Sequence, residues 1–264
     1  MDKAGAPEKR SILLQAVIIA GFLFIWGLVS VSGLWFERLF PSPWRVLVAA
    51  LDHLRQAIIF PHFFYSLYEV LWGFVIGTSL GLTVGLALGR SRLLGQAFEP
   101  LILSLAPVPK IILYPIFIWF LGIGMASRVA MGAASSFFPM VIYAASAVRQ
   151  VKPIHIEAAR LLRAGRYRLL TKVYLPAMIA PIWVGLRLGA AISIVGILLA
   201  ETKISQKGLG FLMIEYYNHF QIAEMYSVLL LIFCFAIGLN SFFGWVQGRI
   251  PALRFGGRIR EGLY

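Results

Sequence analysis

Few side chains of this 264-residue chain are placed to perform covalent chemistry. The four histidines lie in separate segments, without the spacing that a metal site needs. No carboxylate pair or base-supported nucleophile stands out, and no Gly-Lys dipeptide occurs, so a nucleotide-binding P-loop is not predicted. The sequence therefore predicts no catalytic residue, no metal ligand and no bound cofactor in this chain.

Four residues in or beside apolar segments are instead candidates for lining a solute pathway. Lys110 and Arg187 lie inside such segments, and Glu201 closes one of them. Pro115 and two further prolines interrupt the segment that holds Lys110. Ionisable groups and broken helices are tolerated at membrane depth only beside protein or a watery cavity, so these positions are typical of a pathway wall.

Arg187 has two interpretations from the residues alone. Its guanidinium could attract an anionic solute, or it could stabilise the fold by binding backbone carbonyls or a carboxylate such as Glu69 or Glu201. Both interpretations are open at the level of sequence.

The segment 157–176 is more elaborate than a connection between two apolar segments needs to be. It is rich in arginine, carries a helix-forming run from Glu157, and contains Gly165 before the boundary Pro176. The residues are equally compatible with an amphipathic helix lying on anionic lipid and with a docking surface for another protein.

One apolar segment carries glycines at a spacing of four, which is typical of close helix packing. The contact could lie within one subunit or between subunits. The residues are Gly73, Gly77, Gly81, Gly85 and Gly89.

Membrane helices are the elements that must position these residues. The chain is 60% hydrophobic with a mean hydropathy of +0.83, which exceeds the values of soluble domains. We predict an all-α membrane protein with six transmembrane helices and short cytoplasmic helices. The predicted spans are residues 12–31, 66–89, 101–121, 129–148, 177–199 and 226–245.

The distribution of basic residues predicts the orientation of these spans. Sixteen of the 24 Lys and Arg residues fall on the side of the N-terminus, six fall on the other side, and two lie within spans. This positive-inside pattern places both termini and residues 157–176 in the cytoplasm, and it argues against a nucleic-acid partner despite the net charge of +13.

A three-part organisation along the chain follows from these segments. Residues 1–65 hold the first span and an amphipathic helix over 44–60 at the outer surface, residues 66–248 form the transmembrane core, and residues 249–264 form a basic tail. We expect one face of the amphipathic helix to be apolar, with residues Val46, Leu47, Ala50, Leu51, Leu54 and Ile58.

The segment 157–176 resembles the EAA loop of the permease subunits of type I ABC importers. The resemblance is carried by Glu157, Ala158 and Ala159, by a glycine-containing turn, and by Leu175 and Pro176 nineteen residues after the glutamate. It implies that the loop docks on ATPase subunits, with Leu162, Arg163 and Gly165 in the docking segment. The family's glycine usually stands where this chain has Arg163, so the resemblance also leads us to expect a displaced turn or a longer first helix.

Further motifs are similar to permeases of the nitrate, sulfonate, taurine and bicarbonate group. They are residues 73–77, 89–92, 107–109, 119–124 and 208–211. The resemblance implies a pathway for a small solute, with an anion favoured, in the bacterial inner membrane. The implied partners are two ABC ATPases that hold ATP and Mg, a periplasmic or lipid-anchored solute-binding protein, membrane lipid and a second permease copy. The alternative is an ion-driven carrier or channel that works without ATPases.

Overall fold

A computed structural model of the chain describes residues 6–32 and 39–249, and these residues form helices joined by turns. The predicted basic tail, apart from Arg249, lies outside the described residues. In chain order the α-helices are α1 (Ala6–Val31), α2 (Pro43–Arg55), α3 (Ile59–Arg90), α4 (Arg92–Leu105), α5 (Tyr114–Leu121), α6 (Met125–Arg149), α7 (Pro153–Leu161), α8 (Arg166–Leu169), α9 (Leu175–Glu201), α10 (Leu209–Asn218) and α11 (Ile222–Arg249). The predicted all-α fold is confirmed.

Five helical segments of the described residues are long and apolar enough to cross a membrane. They are Leu13–Val31, Ile59–Arg90, Met125–Arg149, Arg166–Glu201 and Ile222–Arg249. The last four segments each contain a predicted span and extend beyond it at both ends. The first segment begins one residue later than its predicted span and ends at the same residue, Val31. A bent pair of helices raises the number to six if it counts as one span.

The predicted third span, residues 101–121, is interrupted, as its prolines led us to expect. The chain forms α4, then a 3₁₀ turn (Lys110–Leu113), then α5, and the two halves are bent by 95°. Pro107 and Pro109 cannot donate backbone hydrogen bonds and therefore end α4 at Leu105, whereas Pro115 begins the new helix in its first turn, where no donor is needed.

The described residues divide into two compact units that do not follow the linear order of the chain. An N-terminal unit combines Met1–Phe60 with Leu212–Ile232, and a core unit combines Pro61–Phe211 with Phe233–Tyr264. The boundary after Phe60 lies close to the predicted boundary at residue 65. The predicted three-part division of the chain stays a prediction.

In the N-terminal unit, α2 occupies the place of the predicted amphipathic helix and ends five residues before the predicted limit. Ser42 caps it by accepting a hydrogen bond from the Arg45 amide, and Pro43 occupies its first turn. Val46 and Ala50, two residues of the predicted apolar face, are buried together with His53. The leucines of that face, Leu47, Leu51 and Leu54, are exposed on its adjoining part. A single apolar face that also includes Ile58 stays a prediction.

In the core unit, the five glycines of α3 pack along α6. A Cβ atom on Gly73 would lie 3.1 Å from the Gly132 Cα, and one on Gly85 would lie 2.5 Å from the Val141 carbonyl oxygen. Gly77, Gly81 and Gly89 meet α6 in the same way. These contacts agree with the first of the two interpretations, in which the glycines allow two helices of one subunit to pack closely.

Candidate functional site

The predicted docking segment forms two short helices, α7 before the long segment Arg166–Glu201 and α8 at the beginning of that segment. Helix α7 is followed by a turn, and α8 then passes through one π-helical turn (Leu170–Tyr174) directly into α9. Ile156 of α7 and Val173 pack against a buried cluster formed by Ala147, Val151 and Met178. The segment is therefore attached to the ends of α6 and α9 through apolar contacts.

The turn after α7 lies at Arg163, where the resemblance places a glycine. Arg163 has a φ of 53°, which is the left-handed conformation that glycine adopts most easily. The Arg163 amide donates to the Arg160 carbonyl and the Ala164 amide donates to the Ala159 carbonyl, which together form a Schellman cap. The expectation of a displaced turn or a longer first helix is wrong: α7 ends at Leu161, and Gly165 has an ordinary φ of −65°.

Apolar side chains of this segment are exposed just before the long helical segment Arg166–Glu201 and at its beginning. Leu161 is 85% exposed, Leu162 is 83% exposed and Tyr167 is 79% exposed. Glu157 and Ala158 are also exposed, Ala159 is half-buried, and Leu175 and Pro176, both exposed, begin α9. A cluster of exposed leucines and an aromatic ring is typical of a surface that another molecule covers.

Lys110 lies at the break between α4 and α5. Its Nζ donates hydrogen bonds to the carbonyls of Leu105 (3.0 Å), Ala106 (2.8 Å) and Val108 (2.6 Å), and it lies 4.5 Å from the centre of the Phe138 ring. The ammonium therefore satisfies carbonyls that the proline break leaves without partners. Lys110 also lines a cavity of about 350 Å³ together with Phe138, Tyr143 and Leu188.

Arg187 binds a different partner from those predicted. Its Nε donates to Oδ1 of Asn240 in α11 at 2.8 Å, and both side chains are exposed. Among the described residues Arg187 forms no ion pair, so its pairing with Glu69 or Glu201 is wrong. Its positive charge has no carboxylate to balance it within the described part of the chain.

Glu201 is fully buried at the end of α9. Its carboxylate accepts hydrogen bonds from the Ser66 hydroxyl (2.6 Å) and from the Gly210 amide (2.7 Å). Gly208 has a φ of 111°, and a Cβ atom at that position would collide with the Glu201 carboxylate. The glycines of the 208–211 motif thus allow the chain to close around Glu201 and tie it to α3.

A buried ion pair between Glu69 of α3 and Arg128 of α6 was not predicted from the sequence. Arg128 Nε donates to Glu69 Oε1 at 2.7 Å, and Arg128 also donates to the Tyr65 hydroxyl at 2.7 Å. Arg128 lies in the first turn of α6 and is 3% exposed, whereas the predicted span begins only at residue 129. Glu69 and Arg128 each lie close to one end of a predicted span, and this is the signal that could have revealed the pair.

Comparison with known proteins identifies the family. Residues 77–252 match the model of the binding-protein-dependent transport system inner membrane component. The chain is 30% identical to the aliphatic sulfonates transport permease SsuC of Bacillus subtilis, over 78% of this chain and 73% of the relative. It is 28% identical to the taurine transport permease TauC of Escherichia coli, over 78% and 77%.

A similar fold is known from a solved structure. An inward-facing structure of the MetNI methionine ABC transporter superimposes with a TM-score of 0.56 at 17% identity, over 78% of this chain and 96% of that chain. The family match, which covers most of the chain, decides against the alternative of an ion-driven carrier or channel. The chain belongs to the inner-membrane components of binding-protein-dependent transport systems, which are the permease subunits of ABC importers.

Proposed function

We propose that this permease forms the pathway for a small anion and that residues 157–176 couple it to two ATPase subunits. In this proposal the ATPases bind ATP and Mg, a solute-binding protein delivers the anion from outside, and a second copy of this chain completes the pathway. Both termini and residues 157–176 face the cytoplasm of the bacterial inner membrane, in accordance with the distribution of basic residues.

The exposed apolar surface of the docking segment is the observation that carries the coupling proposal. Leu161 and Leu162 lie just before the 36-residue helical stretch Arg166–Glu201, and Tyr167 lies at its beginning. That stretch is about 54 Å long at 1.5 Å per residue, so it connects the docking surface to the opposite end of the core unit. ATPases that bind two positions of this helical stretch with different affinities would shift the equilibrium between those positions.

Replacement of Leu162 by aspartate tests this coupling. We expect Leu162→Asp to lower ATP-driven uptake in reconstituted vesicles at least tenfold, because it places a charge in the ATPase contact.

Glu157→Lys should uncouple hydrolysis from uptake in the same assay.

Ile204→Asp is the matched control, because Ile204 is an exposed apolar residue beyond the opposite end of α9. Normal uptake by Leu162→Asp, or equal losses in Leu162→Asp and Ile204→Asp, would overturn the docking assignment.

An anionic substrate is favoured by the charge of Arg187. A guanidinium in the middle of a span, without a carboxylate partner in the described residues, must face water, a solute or another subunit. The relatives SsuC and TauC are named for the transport of aliphatic sulfonates and taurine, and another relative, CmpB of Synechococcus elongatus, is named for bicarbonate. We propose a solute of this anionic class.

The variant Arg187→Gln tests the pathway role, because glutamine retains a donor for Asn240 but removes the charge. We expect uptake of the transported anion to fall at least fivefold while the ATPase activity that the binding protein stimulates is retained. Asn240→Ala removes only the hydrogen bond and should retain most of the uptake. An equal loss in the two variants would mean that Arg187 acts only by stabilising the fold.

A further inference from the structure

A basic cleft lies where α3, α4 and the end of α6 meet in the core unit. Its volume is about 740 Å³, and its lining includes Arg90, Ser91, Arg92, Gln96, Glu99 and Arg149. Three arginines and one glutamate therefore contribute to its wall. The coupling proposal uses none of these side chains.

The charges of the cleft are only partly balanced. Arg149 forms an ion pair with Glu99 at 2.5 Å. Among the described residues, Arg90 and Arg92 form no ion pair, and both are exposed. The cleft therefore carries two uncompensated positive charges, which favour a ligand with at least one negative charge.

The position of the cleft in the fold indicates which anion fits it. Arg90 is the last residue of α3 and Arg149 is the last residue of α6, so the cleft lies at the ends of two membrane spans. Lipid headgroups occupy this depth of a bilayer.

An apolar surface continues from the cleft along α4. Leu94, Phe98 and Leu101 are exposed on one side of this helix. They extend from the turn that begins at Arg92 toward Leu105. A free phosphate ion would leave this apolar surface bare, whereas the acyl chains of a lipid would cover it.

We infer that this cleft binds the headgroup of an anionic phospholipid, with its phosphate at Arg90 and Arg92 and its acyl chains along α4. The lipid would lie beside the start of the docking segment, because Arg149 is separated from α7 by only three residues. This inference does not depend on the substrate or on the coupling proposal, since lipid retention is measured without transport.

Native mass spectrometry of the assembled transporter tests the inference. The complex is titrated with phosphatidylglycerol, with phosphatidylcholine or with inorganic phosphate. We expect phosphatidylglycerol to bind at least tenfold more tightly than phosphatidylcholine. The double variant Arg90→Gln/Arg92→Gln should weaken phosphatidylglycerol binding by about 5- to 30-fold, because each basic residue contributes about a fewfold in affinity.

Two further variants make the experiment decisive. Glu99→Gln removes the only acidic group among the residues that line the cleft, so it should strengthen phosphatidylglycerol binding. If the ion pair of Glu99 with Arg149 were purely structural, the variant would instead be less stable and would not bind the lipid more tightly. Lys203→Gln removes one positive charge near the opposite end of α9 and should leave lipid binding unchanged.

Several results would overturn the inference. They are unchanged lipid binding in the double arginine variant, equal losses in that variant and in Lys203→Gln, and displacement of phosphatidylglycerol by millimolar inorganic phosphate. The last result would assign the cleft to a free anion. Retention of lipid by the isolated chain but not by the assembled transporter would assign the cleft to a protein partner.

Discussion

At the scale of single residues, the turn after α7 shows how backbone conformation and residue type can disagree. Arg163 adopts the left-handed region, while Gly165, two residues later, does not need it. A residue with a Cβ atom in this region costs about 1 kcal/mol relative to glycine. The left-handed turn is therefore compatible with a side chain that offers a charge to a partner.

Replacement of Arg163 by glycine is expected to make the docking segment more stable. The variant relieves the left-handed conformation, so slower amide exchange of residues 157–165 and an unchanged or higher melting temperature are expected in hydrogen-exchange and thermal assays. The matched control, Gly165→Ala, should be tolerated, because a Cβ atom there meets no atom within 4 Å. If Arg163→Gly accelerated exchange, the Arg163 side chain and not its backbone would hold the turn.

The buried ionisable side chains of α3, α6 and α9 form another feature at this scale. Glu69 is neutralised by Arg128, and Glu201 is held by Ser66 and Gly210. Removal of one partner of a buried ion pair typically costs about 3–5 kcal/mol, because the other charge remains buried. Glu69, Arg128 and Glu201 therefore hold α3 against α6 and α9, and the role of Glu201 in a solute pathway stays a prediction.

At the scale of elements, the contact between α3 and α6 depends on the absence of side chains. Gly77 lies so close to the Ala133 carbonyl that a Cβ atom would overlap it. The same contact recurs at Gly81, Gly85 and Gly89, one helical turn apart. The two helices therefore move as one body unless the whole contact opens.

The variant Gly77→Ala is expected to destabilise this helix pair by about 1–3 kcal/mol, the typical cost of overpacking. A lower melting temperature of the purified permease and reduced yield of assembled transporter would report the change. Gly27→Ala in α1 is the matched control, since a Cβ atom there meets no atom within 4 Å. Equal stability of Gly77→Ala and the control would show that the two backbones are farther apart than the structure indicates.

At the scale of the whole molecule, the N-terminal unit contains a buried histidine that should make stability depend on pH. In the N-terminal unit, His53 is buried, accepts or donates a hydrogen bond with the Ser227 hydroxyl at 2.9 Å, and stacks on Tyr216. Burial lowers the pKa of His53, although the nearby carboxylates Glu224 and Asp52 act in the opposite direction. Folding therefore favours the neutral imidazole.

Stability is expected to fall as the pH drops below the ordinary histidine pKa of about 6.5, because the unfolded state then binds a proton that the folded state resists. The loss should continue until the pH reaches the lowered pKa of folded His53. Melting temperatures measured between pH 8 and pH 5 check this expectation. The variant His53→Gln should show a weaker pH dependence over that range, and an unchanged dependence would assign the effect to other groups.

The sequence by itself determined the all-α membrane fold, the position of the long spans and the resemblance of residues 157–176 to a docking loop. These features rest on long apolar segments and on local chemistry, which are readable along the chain. The proline-rich third span was predicted to be interrupted, and the same prolines end and begin the helices there.

Tertiary structure decided which charges meet and which backbone position bends. The pairing of Arg128 with Glu69, of Arg187 with Asn240, and of Glu201 with Ser66 depends on the relative depth and rotation of helices far apart in sequence. Local propensity likewise favours Gly165 as the turn residue, yet the end of α7 requires the left-handed residue at Arg163. Which side chains pair is therefore decided by the packing of the helices, and that packing exists only in the folded chain.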